Sequence, residues 1–69
     1  SSVKEGEMEK FKVGDRGIAK TRLALFGEAN FAGNIVEVKS VDGFISENEA
    51  IEIVRISGDA IFVERVKNN

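Results

Sequence analysis

The sequence predicts an all-β fold, a small closed barrel of five short strands, on three observations. Apolar and polar residues alternate with a period of two through most of the chain, glycine, asparagine and aspartate punctuate it at short intervals, and no stretch sustains a 3.6-residue period. With 69 residues this is one domain, close to the lower size at which a chain buries enough surface to fold alone. It has no cysteine, so neither a disulfide nor a thiolate metal site can support it, and the core must come from its 42% hydrophobic residues.

The elements follow in order. Residues 1–10 carry Lys4, Glu5, Glu7, Glu9 and Lys10 with only Val3 and Met8 as apolar side chains, which offers no face worth burying. They read as a flexible linker, and the opening Ser1-Ser2 reads as a cloning remnant at the start of a piece of a longer protein. The barrel is expected over residues 11–67. From Arg16 to Leu23 the set Gly17, Ala19, Thr21, Leu23 alternates with Arg16, Ile18, Lys20, Arg22, and the first set faces inward because small residues suit a tightly curved wall. Glu28 to Phe31 is a short second strand. Ala32-Gly33-Asn34 turns the chain, and Ile35 to Ser40 is a third strand with Val36 and Val38 on one face. Asp42-Gly43 and Ser46 to Glu49 read as further turns, with Phe44-Ile45 between them. Ala50 to Ile56 and Ala60 to Val66 flank Ser57-Gly58-Asp59 as a hairpin. Within the fourth strand Ile51 and Ile53 share one face whereas Val54 and Ile56 fall on the other, the slip that a bulge or sharp bend would leave, with partial burial of both faces as the alternative. A helix over Glu47 to Ile53 is opposed by the β-branched isoleucines. Such a pattern suits a barrel of OB or SH3-like type. The expected core is Ala19, Leu23, Phe31, Val38, Phe44, Ile51 and Val63.

Charge and residue inventory exclude most chemistry. Ten Lys and Arg against twelve Asp and Glu leave a net charge of -2, so no overall basic field exists for nucleic acid or an anionic membrane. No apolar run is long enough to span a bilayer. Without histidine or cysteine no Ser-His or Cys-His pair can form, and Lys39 and Ser40, adjacent on a strand, point to opposite faces. Ser40, Ser46 and Ser57 sit where hydroxyls bond local backbone. Asp42, Glu47 and Glu49 lack the spacing of a calcium loop. A biotinyl or lipoyl carrier needs a lysine at its hairpin tip, but the tip here is Ser57-Gly58-Asp59 and no lysine lies between Lys39 and Lys67. No enzymatic site, metal or cofactor is therefore expected.

The ordered series Gly14, Gly17, Ala19, Thr21, Leu23, Gly27, then Gly33, Glu37, Val38, Ser40, then Gly43-Phe44-Ile45, and finally Ile51, Ile53, Val54, Gly58 and Val63 resembles the C-terminal soluble domain of the NfeD family. The match runs from Val13 to Val66. Leu25 replaces a usual proline and Glu37 a usual aspartate. The resemblance implies a five-stranded OB-fold-like β-barrel attached to transmembrane helices of a parent protein at the membrane. It also implies partnership with stomatin, prohibitin and flotillin-type membrane proteins in membrane organisation or quality control. Longer members carry a separate ClpP-like serine protease.

Surface recognition is what the residues leave open. Leu23-Ala24-Leu25-Phe26 is an apolar run ending before Gly27, and in so short a connection Leu25 and Phe26 cannot both be buried. They are candidate partner contacts, with Ile18 and Ile35 on outward faces as an extension. The competing reading folds Phe26 back over the barrel mouth. A single-stranded nucleic-acid-binding OB module is the alternative function, with Phe26 as its one exposed stacking platform, and self-association through sheet edges stays open.

Overall fold

In the computed structural model, which describes residues 5–67, the chain forms a 3-10 turn and five strands closed into a barrel. The strands are β1 (Arg16–Ala19), β2 (Leu23–Phe31), β3 (Asn34–Ile45), β4 (Ala50–Ser57) and β5 (Ala60–Arg65). Their order around the barrel is β1-β2-β3-β5-β4, and β1 closes it by pairing with β4. All neighbours are antiparallel except β3 and β5, which run parallel through only two register pairs, Lys39 with Phe62 and Ser40 with Val63. This is the connectivity of an OB-fold-like barrel, as the sequence predicts.

Every strand turns one set of apolar side chains inward. Ala19, Leu23, Ala29, Phe31, Val36, Val38, Ile45, Ile51, Ile53, Ile61 and Val63 are buried, and Phe11 plugs one end with its ring edge-on to Phe31 at 6.0 Å. Among the described residues no buried polar side chain interrupts this core. Before β1, Glu5–Lys10 forms a 3-10 helix that sets Met8 against the core, although the sequence around Met8 shows no apolar face. Residues 1–4 lie outside the described part.

Four sequence expectations are corrected by backbone geometry. The first strand stops at Ala19, because the chain bends at Lys20–Arg22, where both Lys20 and Thr21 amides donate to the Glu28 carbonyl (2.8 and 3.2 Å). The bend releases Leu23 into β2, which reaches Phe31 without a break instead of beginning at Glu28. Gly27 makes this bend fit: a Cβ there would lie 2.6 Å from Leu23 Cδ2, 2.7 Å from Thr21 Oγ1 and 2.8 Å from the Arg22 carbonyl. Asp42-Gly43 does not end the third strand but lies inside β3, where Gly43 takes φ 76°. Finally, Phe44 is 68% exposed and leaves the core to Ile45. Val36 and Val38 point inward, so strict alternation would send Phe44 inward too. The irregularity between Ser40 and Gly43 sets four residues of β3 against one of β2, an odd excess that reverses the phase and turns Ile45 in, opposite Leu23.

The bulge expected in the fourth strand is present. The β4–β5 register jumps between Ile53 and Arg55, leaving Val54 without a partner and carrying Ile56 to a half-buried position beside the core. Ser57–Ala60 closes the hairpin.

Ile51→Ala, at a fully buried wall position, is expected to cost about 2–5 kcal/mol in urea denaturation, and Phe44→Ala to stay within about 0.5 kcal/mol of the parent. Gly27→Ala is expected to cost about 1–3 kcal/mol through overpacking at the bend.

Candidate interaction surface

The outer face of β2, β3, β5 and β4 is built in rows by the strand register. One row runs Phe26, Lys39, Phe62, Arg55, each residue directly opposite the next. Two residues along β2 and β3, Glu28 faces Glu37, and two further on, Asn30 sits between Ile18 of β1 and Ile35 of β3. The row of two glutamates therefore separates Ile18 and Ile35 from Phe26. The structure places Ile18 in a shallow depression with Gly17, Asn30 and Ala50, and it does not join that depression to the Phe26 row.

Leu25 and Phe26 do come together, within β2 rather than in a β1–β2 loop. Between the pairs Ala24–Phe44 and Phe26–Lys39, β2 contributes Leu25 alone while β3 contributes Ser40, Val41, Asp42 and Gly43. The extra length of β3 stands out from the wall. It is held by a hydrogen bond from the Asp42 amide to Ser40 Oγ (3.1 Å) and by the positive φ of Gly43. Leu25 opposes it with φ 76°, a region in which a side chain with a Cβ is strained and which proline cannot enter at all. Leu25 is 70% exposed, so no packing offsets that strain. Phe26 is also exposed and does not cap the barrel mouth.

The sequence reading missed two members of this surface, Val41 and Phe44, both exposed beside Leu25. Phe44 is fixed from behind. Arg65 Nη2 donates to the Phe44 carbonyl at 2.7 Å, its Nε lies 3.3 Å from Glu49 Oε2, and the same carboxylate oxygen accepts from the Ser46 amide at 2.8 Å. The clamp holds the end of β3 so that Ile45 points in and Phe44 points out. A hint was available in the sequence: Asp42-Gly43 inside an apolar alternation is as consistent with a bulge as with a turn.

The electrostatics of the surface are unusual in one respect. Arg22 lies over the Phe44 ring at 5.9 Å, and Lys39 and Arg55 lie over Phe62 at 5.9 and 4.0 Å. Among the described residues these three cations make no ion pair, whereas Arg16 pairs with Glu52 and Arg65 with Glu49. Among the described residues there is also no group of three or more acidic side chains placed to hold a metal ion, and no helix long and apolar enough to cross a membrane.

No family model and no curated protein matches the sequence. Among solved structures the chain is similar to the C-terminal domain of stomatin operon partner protein 1510-C from Pyrococcus horikoshii, with a TM-score of 0.76 and 23% identity over 81% of this chain and 89% of that one. The two share a fold over most of their lengths, the fold that the resemblance carried by the glycine and apolar series implies.

Leu25→Gly is expected to stabilise the chain by about 1 kcal/mol, since glycine accepts φ 76° without strain. In a domain of this size that raises the thermal midpoint by about 4–8 °C. A lower midpoint would show that Leu25 carries packing that its exposure does not reveal.

Proposed function

We propose that this chain is a non-enzymatic protein-interaction domain of a membrane-anchored, NfeD-like protein, working with stomatin-, prohibitin- or flotillin-type proteins in membrane organisation or quality control. One observation carries the reading: over 81% of its length the chain shares the fold of a domain from a protein named as a stomatin operon partner, and 89% of that domain is covered. The residue inventory supports it. A chain with neither histidine nor cysteine has no Ser-His or Cys-His pair to offer, and recognition by surface contact is what such a barrel can perform. The surface supports it as well, because Leu25, Phe26 and Phe44 are large exposed side chains on a rigid sheet.

In this reading the parent protein supplies the membrane anchor and the barrel supplies the contact. Leu25 and Phe26 form the contact, and Ile18 and Ile35 belong to a separate row that a large partner reaches only across Glu28 and Glu37. The neighbouring glutamates and the net charge of -2 weigh against the alternative of a single-strand-binding module, even though Phe44 adds a second exposed ring to Phe26.

Immobilised chain is expected to retain a purified stomatin-type protein from the same organism, and a Leu25→Ser, Phe26→Ser variant with an unchanged circular dichroism spectrum is expected to lose it. No retention by the parent chain, together with steeply salt-dependent binding of oligothymidylate, would replace this function by the nucleic-acid one.

A further inference from the structure

The bulged surface also constrains the chemistry of what it binds. We infer that the knob formed by Leu25, Phe26, Val41 and Phe44, bordered by Arg22 and Lys39, takes an amphipathic protein segment whose apolar side chains are flanked by carboxylates. This deepens the proposed function and rests on its premise that the domain recognises protein.

Three observations lead there. The apolar residues are neighbours by strand register: the β2–β3 irregularity sets Leu25 opposite Ser40–Gly43, Phe44 pairs with Ala24 beside it, and Arg65 holds the Phe44 carbonyl. Leu25 is held in a strained conformation and exposed, an arrangement that weakens the free domain and gives nothing back until the side chain is covered. The bordering cations make no ion pair among the described residues. Arg22 and Lys39 rest over phenyl faces, a contact worth only about 0.5–1 kcal/mol at an exposed site, although Glu28, Glu37 and Asp42 share the surface. An incoming carboxylate meets each cation without breaking an ion pair among the described residues.

The same surface is poorly matched to the other anionic occupants. Asp42 lies within the excursion itself, next to Val41, so an anionic bilayer or a phosphodiester strand would bring its charge against a carboxylate at the point of deepest contact. The row of Glu28 and Glu37 beside Phe26 and Lys39 adds to that repulsion. A polypeptide can place carboxylates at Arg22 and Lys39 alone.

The test is a titration of the uniformly 15N-labelled 69-residue chain, followed by amide chemical shifts, with three synthetic helical peptides. They share one Leu/Phe face and carry Glu, Lys or Ser at its borders. The Glu-bordered peptide is expected to shift the amides of Arg22, Leu25, Phe26, Lys39, Val41 and Phe44 saturably. It should bind about tenfold more tightly than the Lys-bordered one, the ratio that two or three exposed charge pairs support, and the ratio should shrink as salt is raised. Arg22→Glu, Lys39→Glu, both at exposed positions, is expected to invert the preference. Equal binding of all three peptides overturns the charge rule. Shifts confined to the Ile18–Ile35 row, or a response to phosphatidylglycerol vesicles or oligothymidylate with none to the peptides, overturns the surface or the occupant. The outcome separates from that of the proposed function. Capture of a stomatin-type protein undiminished by Leu25→Ser, Phe44→Ser overturns this inference alone. Binding of the Glu-bordered peptide at the knob by a chain that captures no stomatin-type protein supports it while removing the partner class.

Discussion

The structure depends on closure of the sheet through β1, a strand of four residues that must pair on both sides at once. Ile18 is opposite Asn30 of β2 and opposite Ala50 of β4, and Asp15 and Gly14 extend the second seam by exchanging hydrogen bonds with Ile53 (2.9 and 2.8 Å). So short a closing strand leaves the others to make the curvature. In a five-stranded barrel that curvature comes from bends and extra residues, because flat strands cannot return on themselves. The bend at Lys20–Arg22, the β2–β3 irregularity at Leu25 and the β4 bulge at Val54 are all answers to that one demand.

The position of each irregularity decides what the outside displays. An odd number of extra residues in a strand reverses the facing of all that follows, so the irregularity between Ser40 and Gly43 does two things together. It delivers Ile45 to the core, where Leu23 waits opposite, and it expels Phe44. The β4 bulge does less to the surface, because Val54 and Ile56 both remain half-buried. Only the β2–β3 irregularity sets four apolar side chains in solvent, and it lies at the edge of the row in which Lys39 and Arg55 cover Phe62. The interaction surface and the curvature of the barrel are thus consequences of the same insertion.

This also explains what could be read from residues alone. The all-β class, the hairpin at Ser57–Ala60, the turn at Ala32–Gly33 and the β4 phase slip were legible, because each is a local departure from alternation with a single cheapest resolution. Ala19, Leu23, Phe31, Val38, Ile51 and Val63 could be assigned to the core for the same reason. Phe44 could not. Its facing is fixed by how many residues β3 spends between Lys39 and Ile45, and that number is set by β2 across the ribbon rather than by anything next to Phe44. The run Leu23 to Phe26 shows a related limit. It displays too many apolar residues for a loop, which revealed exposure, but not that the run sits inside a strand, because the Gly27 close approach that lets the preceding bend close is a contact with Thr21, Arg22 and Leu23.

A domain of this size has a total stability of roughly 3–10 kcal/mol by its length. Against that margin about 1 kcal/mol of left-handed strain at an exposed leucine is a sizeable share. Closure of the barrel does not require it, since glycine at the same position would satisfy the same bulge with less strain. The chain uses glycine at Gly14, Gly33, Gly43 and Gly58, where the backbone is left-handed and the space beyond is open, and it carries a Cβ at positive φ at Ala32 and Asn48 as well as at Leu25. It keeps leucine at Leu25, beside Phe26 and Phe44. Of the three residues with a Cβ at positive φ, Leu25 alone is a large exposed apolar side chain, and it lies beside cations that make no ion pair among the described residues, so the strain there serves the surface.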